Sequence, residues 1–185
     1  MSVAEIVIRE ANTAERRQAA DLVITAFSVT ASPPTPNDRA ALARAITDGY
    51  ADRTHTTALT AWSGTRLVGA ILYAATGAES AGFPADWAVL RALGVTTDAV
   101  GRGIGTALTV DAVGRGMTEG AGGIGLYTAD TNLRARHLYA ALGFVVMSPP
   151  FVRYGLDYRR HGLDQLAATR LLTNLRASGR ADATY

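Results

Sequence analysis

The chain contains no cysteine and no lysine. The first absence excludes a disulfide framework, a thiolate nucleophile and cysteine-ligated zinc. The second excludes Schiff-base chemistry, a pyridoxal linkage and the lysine-bearing phosphate loop, and it leaves all eighteen basic residues as arginine. Histidine is scarce too: His55, His137 and His161 share no ligand spacing, so no metal site is expected. Long apolar runs are missing from residues 1–20, which carry Glu5, Arg9, Glu10, Glu15 and Arg16–Arg17. Neither a signal peptide nor a membrane span is expected there, and the expected location is the cytoplasm. Net charge is only +2, with the arginines scattered, which argues against a nucleic-acid-binding stripe.

At 185 residues the chain suits one core, able to bury roughly 70% of the surface that the unfolded chain exposes. Its organising stretch runs from Trp87 to Leu108: an apolar strand WAVLRALGV, a polar turn TTDA, then VGRGIGTAL. Gly101, Gly103 and Gly105 alternate just where strand gives way to helix, so backbone amides can approach a ligand closely. The helix dipole adds roughly half a positive charge at the same spot. A pyrophosphate is the natural occupant.

Around that stretch the periodicity predicts a strand through Val3, Ile6 and Ile8, then a helix capped by Asn12 or Thr13 and ending at Phe27. SVTASPPTPN breaks it, and Asn37 or Asp38 is expected to cap a second helix to about Tyr50. Residues 56–62 and 66–75 flank Ser63-Gly64-Thr65 as a hairpin. After the central strand come a helix over about 103–119, a strand Ile124–Thr128 and a helix capped within Asp130–Asn132. Gly143 stops that helix before a last strand from Phe144. Gly120–Gly125 formally matches G-x-G-x-x-G, but it precedes a strand instead of following one and is rejected as a dinucleotide fingerprint. Residues 151–158 are expected to add a closing strand, and Asp164 to open a helix to about Ala177. The leucines of that helix spread over two faces, which suggests a homodimer contact. The tail SGRADATY reads as flexible.

Two motifs together, LGVTTDAVGRGIGTAL and NLRARHLYAALGF, resemble the acetyl-coenzyme A binding and C-terminal motifs of the GNAT N-acetyltransferases. The likeness is close over residues 86–146. It implies a mixed α/β fold: a central, mostly antiparallel, twisted sheet with flanking helices and a V-shaped splay between two central parallel strands. Residues 1–160 would form the catalytic domain, and 161–185 a helical extension with a tail. The resemblance assigns pantetheine pairing to Leu93, Gly94 and Val95. It assigns pyrophosphate binding to Gly101, Arg102, Gly103, Ile104, Gly105 and Thr106, and orientation of the thiol end to Asn132. Val100 stands where the family usually has Gln or Arg, which should weaken donor affinity modestly.

The implied reaction is direct acetyl transfer from acetyl-coenzyme A to the primary amine of a small molecule. A peptide N-terminal acetyltransferase and a non-catalytic acyl-coenzyme A module are the alternatives. The thioester carbonyl would be polarised by a free amide near Leu93, where the central strand bulges. Tyr139, at once a cofactor contact and the catalytic group, would serve the leaving thiolate; read alone it is a core aromatic. No carboxylate occupies Val89 or Tyr127, the family's usual base positions, which leaves an ordered water ahead of Glu79, Asp86 or the terminal carboxylate of Tyr185. Arg91 is the oddity. Alternation puts it on one face with Val89 and Leu93, looking into the acceptor cleft, where it either pairs with Asp86, Glu79 or a helix carboxylate, or receives an anion of the acceptor. Phe27, Tyr73, Phe83, Trp87, Tyr127 and Phe151 would line the remainder of that cleft.

Overall fold

The computed structural model describes residues 5–30, 32–78 and 82–178. Helix α1 (Thr13–Thr30) follows strand β1 (Ile6–Glu10) through a capping box. Asn12 Oδ1 accepts from the amides of Ala14 and Glu15, and Glu15 Oε2 accepts from the Asn12 amide. Helix α2 (Pro36–Ala51) starts earlier than expected. Thr35 is its cap, accepting from the Asp38 amide at 3.1 Å, and Pro36 takes the first turn, where its missing N–H costs nothing. Strands β2 (Thr56–Ser63) and β3 (Arg66–Ala74) form the expected hairpin and lead to β4 (Trp87–Val95). After β4 come a 3-10 turn (Thr97–Ala99), α3 (Ile104–Thr118), β5 (Gly123–Ala129) and α4 (Leu133–Ala141).

The end of the chain departs from expectation. The strand from Phe144 shrinks to β6 (Val145–Val146), because Pro149 and Pro150 cannot donate to a ladder. Its place beside β5 is taken by β8 (Leu156–Asp164), and the expected strand over 151–158 is split by a turn. There Tyr154 and Gly155, at φ 50° and 70°, reverse the chain between β7 (Phe151–Arg153) and β8. Residue 160 lies inside β8, and helix α5 (Gln165–Ala177), capped by Asp164, packs on α3, β5 and β8. Leu166 on α5 is exposed. His161 is a buried β8 residue.

The sheet runs β1-β2-β3-β4-β5-β8-β6 with β7 on β8, and β4–β5 is the one parallel pair among the described residues. One face is covered by α3, α4 and α5 over a core that includes Ile71, Leu90, Leu108 and Ile124; the other by α1 and α2 over Val23, Ile46, Tyr50 and Leu72. Pairing of β4 with β5 ends at Leu90↔Leu126, although β4 continues to Val95 and β5 to Ala129. Beyond that point the two strands splay, as the motifs implied. No helix among the described residues is long and apolar enough to cross a membrane.

Candidate active site

The splay is completed by a bulge. Leu72 pairs with Arg91 but Ala70 pairs with Gly94, so Ala92 and Leu93 together oppose Ile71. Ala92 sits at φ 50°, a left-handed conformation that costs a non-glycine residue of order 1 kcal/mol. The Tyr50 hydroxyl donates to the Ala92 carbonyl at 3.1 Å and ties the bulge to α2. The extra residue inverts the alternation, and this corrects the expectation that Arg91 and Leu93 share a face. Arg91 reaches over α2, its Nη2 3.3 Å from where a side chain on Gly49 would begin. Leu93 and Val95 point the other way, towards α3 and α4. Gly94 is pressed on α1, since a Cβ there would lie 2.9 Å from Val23 Cα.

Beyond the bulge the chain turns into α3 through two left-handed glycines, Gly101 at φ 84° and Gly103 at φ 80°. Gly103 is the N-cap and supplies no side-chain cap. The Ala107 amide, donating to the Gly103 carbonyl at 2.9 Å, is the first to bond back. The amides of Ile104, Gly105 and Thr106 therefore have no helical partner and point out of the helix's positive end. They open into a groove of about 450 Å3.

Most of the residues singled out as donor contacts meet in this groove: Leu93, Gly94 and Val95 on one wall, and Gly101, Gly103, Ile104, Gly105 and Thr106 at its head. Asn132 closes the far side. Its Oδ1 caps α4 by accepting from the Ala135 amide at 3.2 Å, which turns the amide nitrogen outward as a donor. Arg102 is exposed and outside the lining. Arg134, which sequence reasoning missed, lines the groove from the first turn of α4; a cation next to Asn132 in NLRAR was its only signal.

Tyr139 lies deeper. It is four residues beyond the groove residue Ala135, hence on the same helix face one turn further in. Only 6% exposed, its ring packs edge-on to Phe144 at 5.7 Å and tilted against His161 at 6.4 Å. It is not among the groove's lining side chains. Its hydroxyl forms no hydrogen bond with a described residue. Burial pushes the phenol well above its usual pKa and keeps it protonated. Burial also lowers the pKa of His161, whose Nε2 is enclosed without a partner.

A second, narrower cavity of about 60 Å3 lies on the other side of the bulge. Ala92 lines it while its neighbour Leu93 lines the groove, so adjacent residues of one bulge wall both spaces. Phe27, Leu42 and Ile46 give it an apolar side; Arg91, Tyr127, Arg153, Tyr154 and Tyr158 give it a polar one. The Arg153 guanidinium lies 4.6 Å from the Tyr127 ring centre and 5.0 Å from that of Tyr154. The β7–β8 turn packs on the start of α2: a Cβ on Gly155 would stand 2.7 Å from Asp38 Oδ2 and 2.9 Å from Pro34 Cγ.

Other expected cleft residues are placed elsewhere. Val89 is fully buried beside Phe83 and Ala74, and Trp87 stacks on Phe83 at 6.3 Å. Tyr73 faces α3 and donates to Glu119 Oε2 at 2.6 Å. Phe151 packs on Tyr158 beneath the Arg160 guanidinium. Asp86, a candidate base, sits before β4, six residues and about 20 Å of strand from Ala92. Glu79 and Tyr185, the other carboxylate candidates, lie outside the described residues. The described walls of the small cavity carry no carboxylate, and no cluster of three metal-ligating side chains occurs among the described residues.

Comparison with known proteins agrees with this geometry. A sequence model of the acetyltransferase (GNAT) family matches residues 22–144. A search of curated proteins found no match. Among solved structures, the PaiA N-acetyltransferase of Thermoplasma acidophilum in complex with coenzyme A superposes with a TM-score of 0.66 at 17% identity, covering 86% of this chain and 98% of that one. The ribosomal-protein-S18-alanine N-acetyltransferase of Escherichia coli gives 0.63 at 16%, covering 86% and 93%. A chimera of the spermidine N-acetyltransferase SpeG from Vibrio cholerae with hSSAT gives 0.63 at 18%, covering 89% and 98%. At these identities the likeness establishes the fold alone. The family model spans about two-thirds of the sequence, and on that ground the chain belongs to the GNAT family of acetyltransferases, whose acetyl donor is acetyl-coenzyme A.

Proposed function

We propose that the protein acetylates the primary amine of a small molecule by direct attack on acetyl-coenzyme A. The observation that carries this reading is the shared bulge: the groove and a much smaller cavity meet at Ala92 and Leu93, and the Gly155 turn packs on Asp38 and Pro34 at the start of α2. A small amine suits a space of about 60 Å3, whereas a peptide would need a longer channel.

The donor supplies an activated acetyl thioester. The free amides of Ile104, Gly105 and Thr106 suit its pyrophosphate, and the β4 backbone beyond Leu90, unpaired by β5, suits its pantetheine arm. The bulge amide near Leu93 polarises the carbonyl. The amine nitrogen forms the new C–N bond as the C–S bond breaks, and the proton lost by the amine passes to water, since no carboxylate faces the cavity among the described residues. Tyr139 hydrogen-bonds the departing sulfur, which ends protonated as the free thiol. With reference pKa values near 8.5 and 10, full proton transfer from phenol to thiolate is uphill by about 2 kcal/mol. Burial of Tyr139 widens that gap, so its role is to hold a proton against the sulfur, with solvent making up the balance.

The test is thiol release from acetyl-coenzyme A with a panel of amines, read together with product mass. One acetyl group per thiol on a small amine is expected. Coenzyme A binding without thiol release from any amine overturns the reading in favour of a binding module, and acetylation confined to peptide N-termini overturns the choice of acceptor.

A further inference from the structure

The small cavity has a chemistry of its own. Tyr158 is 3% exposed and its hydroxyl is enclosed without a hydrogen-bond partner, a state that costs a buried polar group roughly 1–3 kcal/mol. The rings of Tyr127 and Tyr154 stand 6.2 and 6.3 Å from its own. Arg153 lies over both of those rings, half-buried, with no carboxylate among the described residues within ion-pair distance. The interactions of Arg153 run instead to the phenols of Tyr127 and Tyr154. The Tyr158 phenol feels Tyr154, Arg153 and Tyr127, and with burial as the largest cause its pKa is pushed up to about 12. Three tyrosines and one guanidinium thus line a single space bounded on its far side by Phe27, Leu42 and Ile46.

We infer that this cluster binds a carboxylate carried by the acceptor, so that the substrate is a small amino acid-like amine with an apolar frame, its carboxylate on Arg153 and Tyr158 and its amine at the bulge. The inference rests on the acetyltransferase reading of the same site. A guanidinium and hydroxyl donors satisfy a planar carboxylate, which in turn gives the Tyr158 hydroxyl the partner it lacks.

The experiment compares amino acids with their decarboxylated amines: leucine with 3-methylbutylamine, phenylalanine with 2-phenylethylamine, and β-alanine with ethylamine. The aminophosphonate counterparts form a third arm. In the best pair kcat/KM is expected to be at least tenfold higher for the carboxylate member, through KM, with the phosphonate no better than the neutral amine. Arg153→Leu should bring that ratio close to one, Arg153→Lys should restore part of it, and Tyr158→Phe should cut it several-fold. Thermal melting of each variant separates lost recognition from lost fold. Equal rates within every pair, or a ratio untouched by Arg153→Leu, overturn the inference; preference for the phosphonate moves the site to phosphate-bearing amines. If no amine yields thiol, the acetyltransferase reading fails by itself. The anion site is then judged by calorimetric titration of N-acetylleucine into the protein with coenzyme A present, which should bind wild type and not Arg153→Leu.

Discussion

The two cavities on either side of the bulge are built from different material. The donor groove is largely backbone: amides of Ile104, Gly105 and Thr106, two left-handed glycines and a strand edge freed by the splay. The small cavity is largely side chain, with phenols and a guanidinium gathered from β5, β7 and β8. A backbone site recognises what every donor molecule shares, whereas a side-chain site can be retuned by substitution without disturbing the sheet. Substitutions on the donor side should therefore change turnover or donor affinity whichever amine is used, and those on the acceptor side should change the choice of amine.

The largest effect is expected at Tyr139. If Tyr139 holds a proton against the sulfur as proposed, Tyr139→Phe should lower kcat roughly 100-fold or more for every acceptor, with the coenzyme A Kd within a factor of two. A change below threefold makes Tyr139 a packing residue beside Phe144 and His161. The pH profile tests the same point. The phenol is competent while protonated, and burial raises its pKa, so competence extends upward in pH. From pH 6 to 10, kcat should rise as the amine loses its proton and then level. A fall with a midpoint below pH 9 contradicts the buried phenol as donor.

Next comes the cradle. Gly103→Val forces a β-branched residue into φ 80° at the cap of α3, at about 1–2 kcal/mol, and sets its methyls over the free amides. The coenzyme A Kd should rise about tenfold or more by titration calorimetry. A smaller effect is expected across the bulge. Gly155→Ala places a Cβ 2.7 Å from Asp38 Oδ2 at φ 70°, so the turn must lift from α2. The acceptor KM should rise about fivefold while the donor Kd holds. If both constants move together, the two sites are one mechanical unit and the contrast between them dissolves.

The same contrast explains what the sequence disclosed. The groove was legible because its glycines sit at fixed offsets from an apolar strand, and because Asn132 to Phe144 keeps its spacing on one helix. The bulge was not, since Ala92 occupies a left-handed position with no glycine to announce it, and missing it put Leu93 on the wrong face. The proposed acceptor cavity draws on residues from Phe27 to Tyr158, with no local pattern. Its outer wall depends on a Tyr154-Gly155 turn that was absorbed into one expected strand. Thr35-Pro36, a standard helix start, was overlooked for the same reason: three prolines read as loop hid the one that begins α2.

The smallest effect concerns the mouth of the groove, where backbone leaves off and charge begins. Arg134 and Val100 both line the groove, one cationic and the other apolar where the resembled family usually has Gln or Arg. An exposed cation near a phosphate contributes about 0.2–1 kcal/mol at low salt, and the interaction is screened over roughly 10 Å at 0.1 M. Arg134→Ala should weaken coenzyme A binding up to about fivefold at 20 mM salt and hardly at all at 500 mM. Val100→Arg should strengthen it by a similar factor with the same salt dependence. If Arg134→Ala costs tenfold at both salt concentrations, the guanidinium makes a direct bidentate bond to phosphate, and the groove relies on side chains as heavily as the cavity across the bulge does.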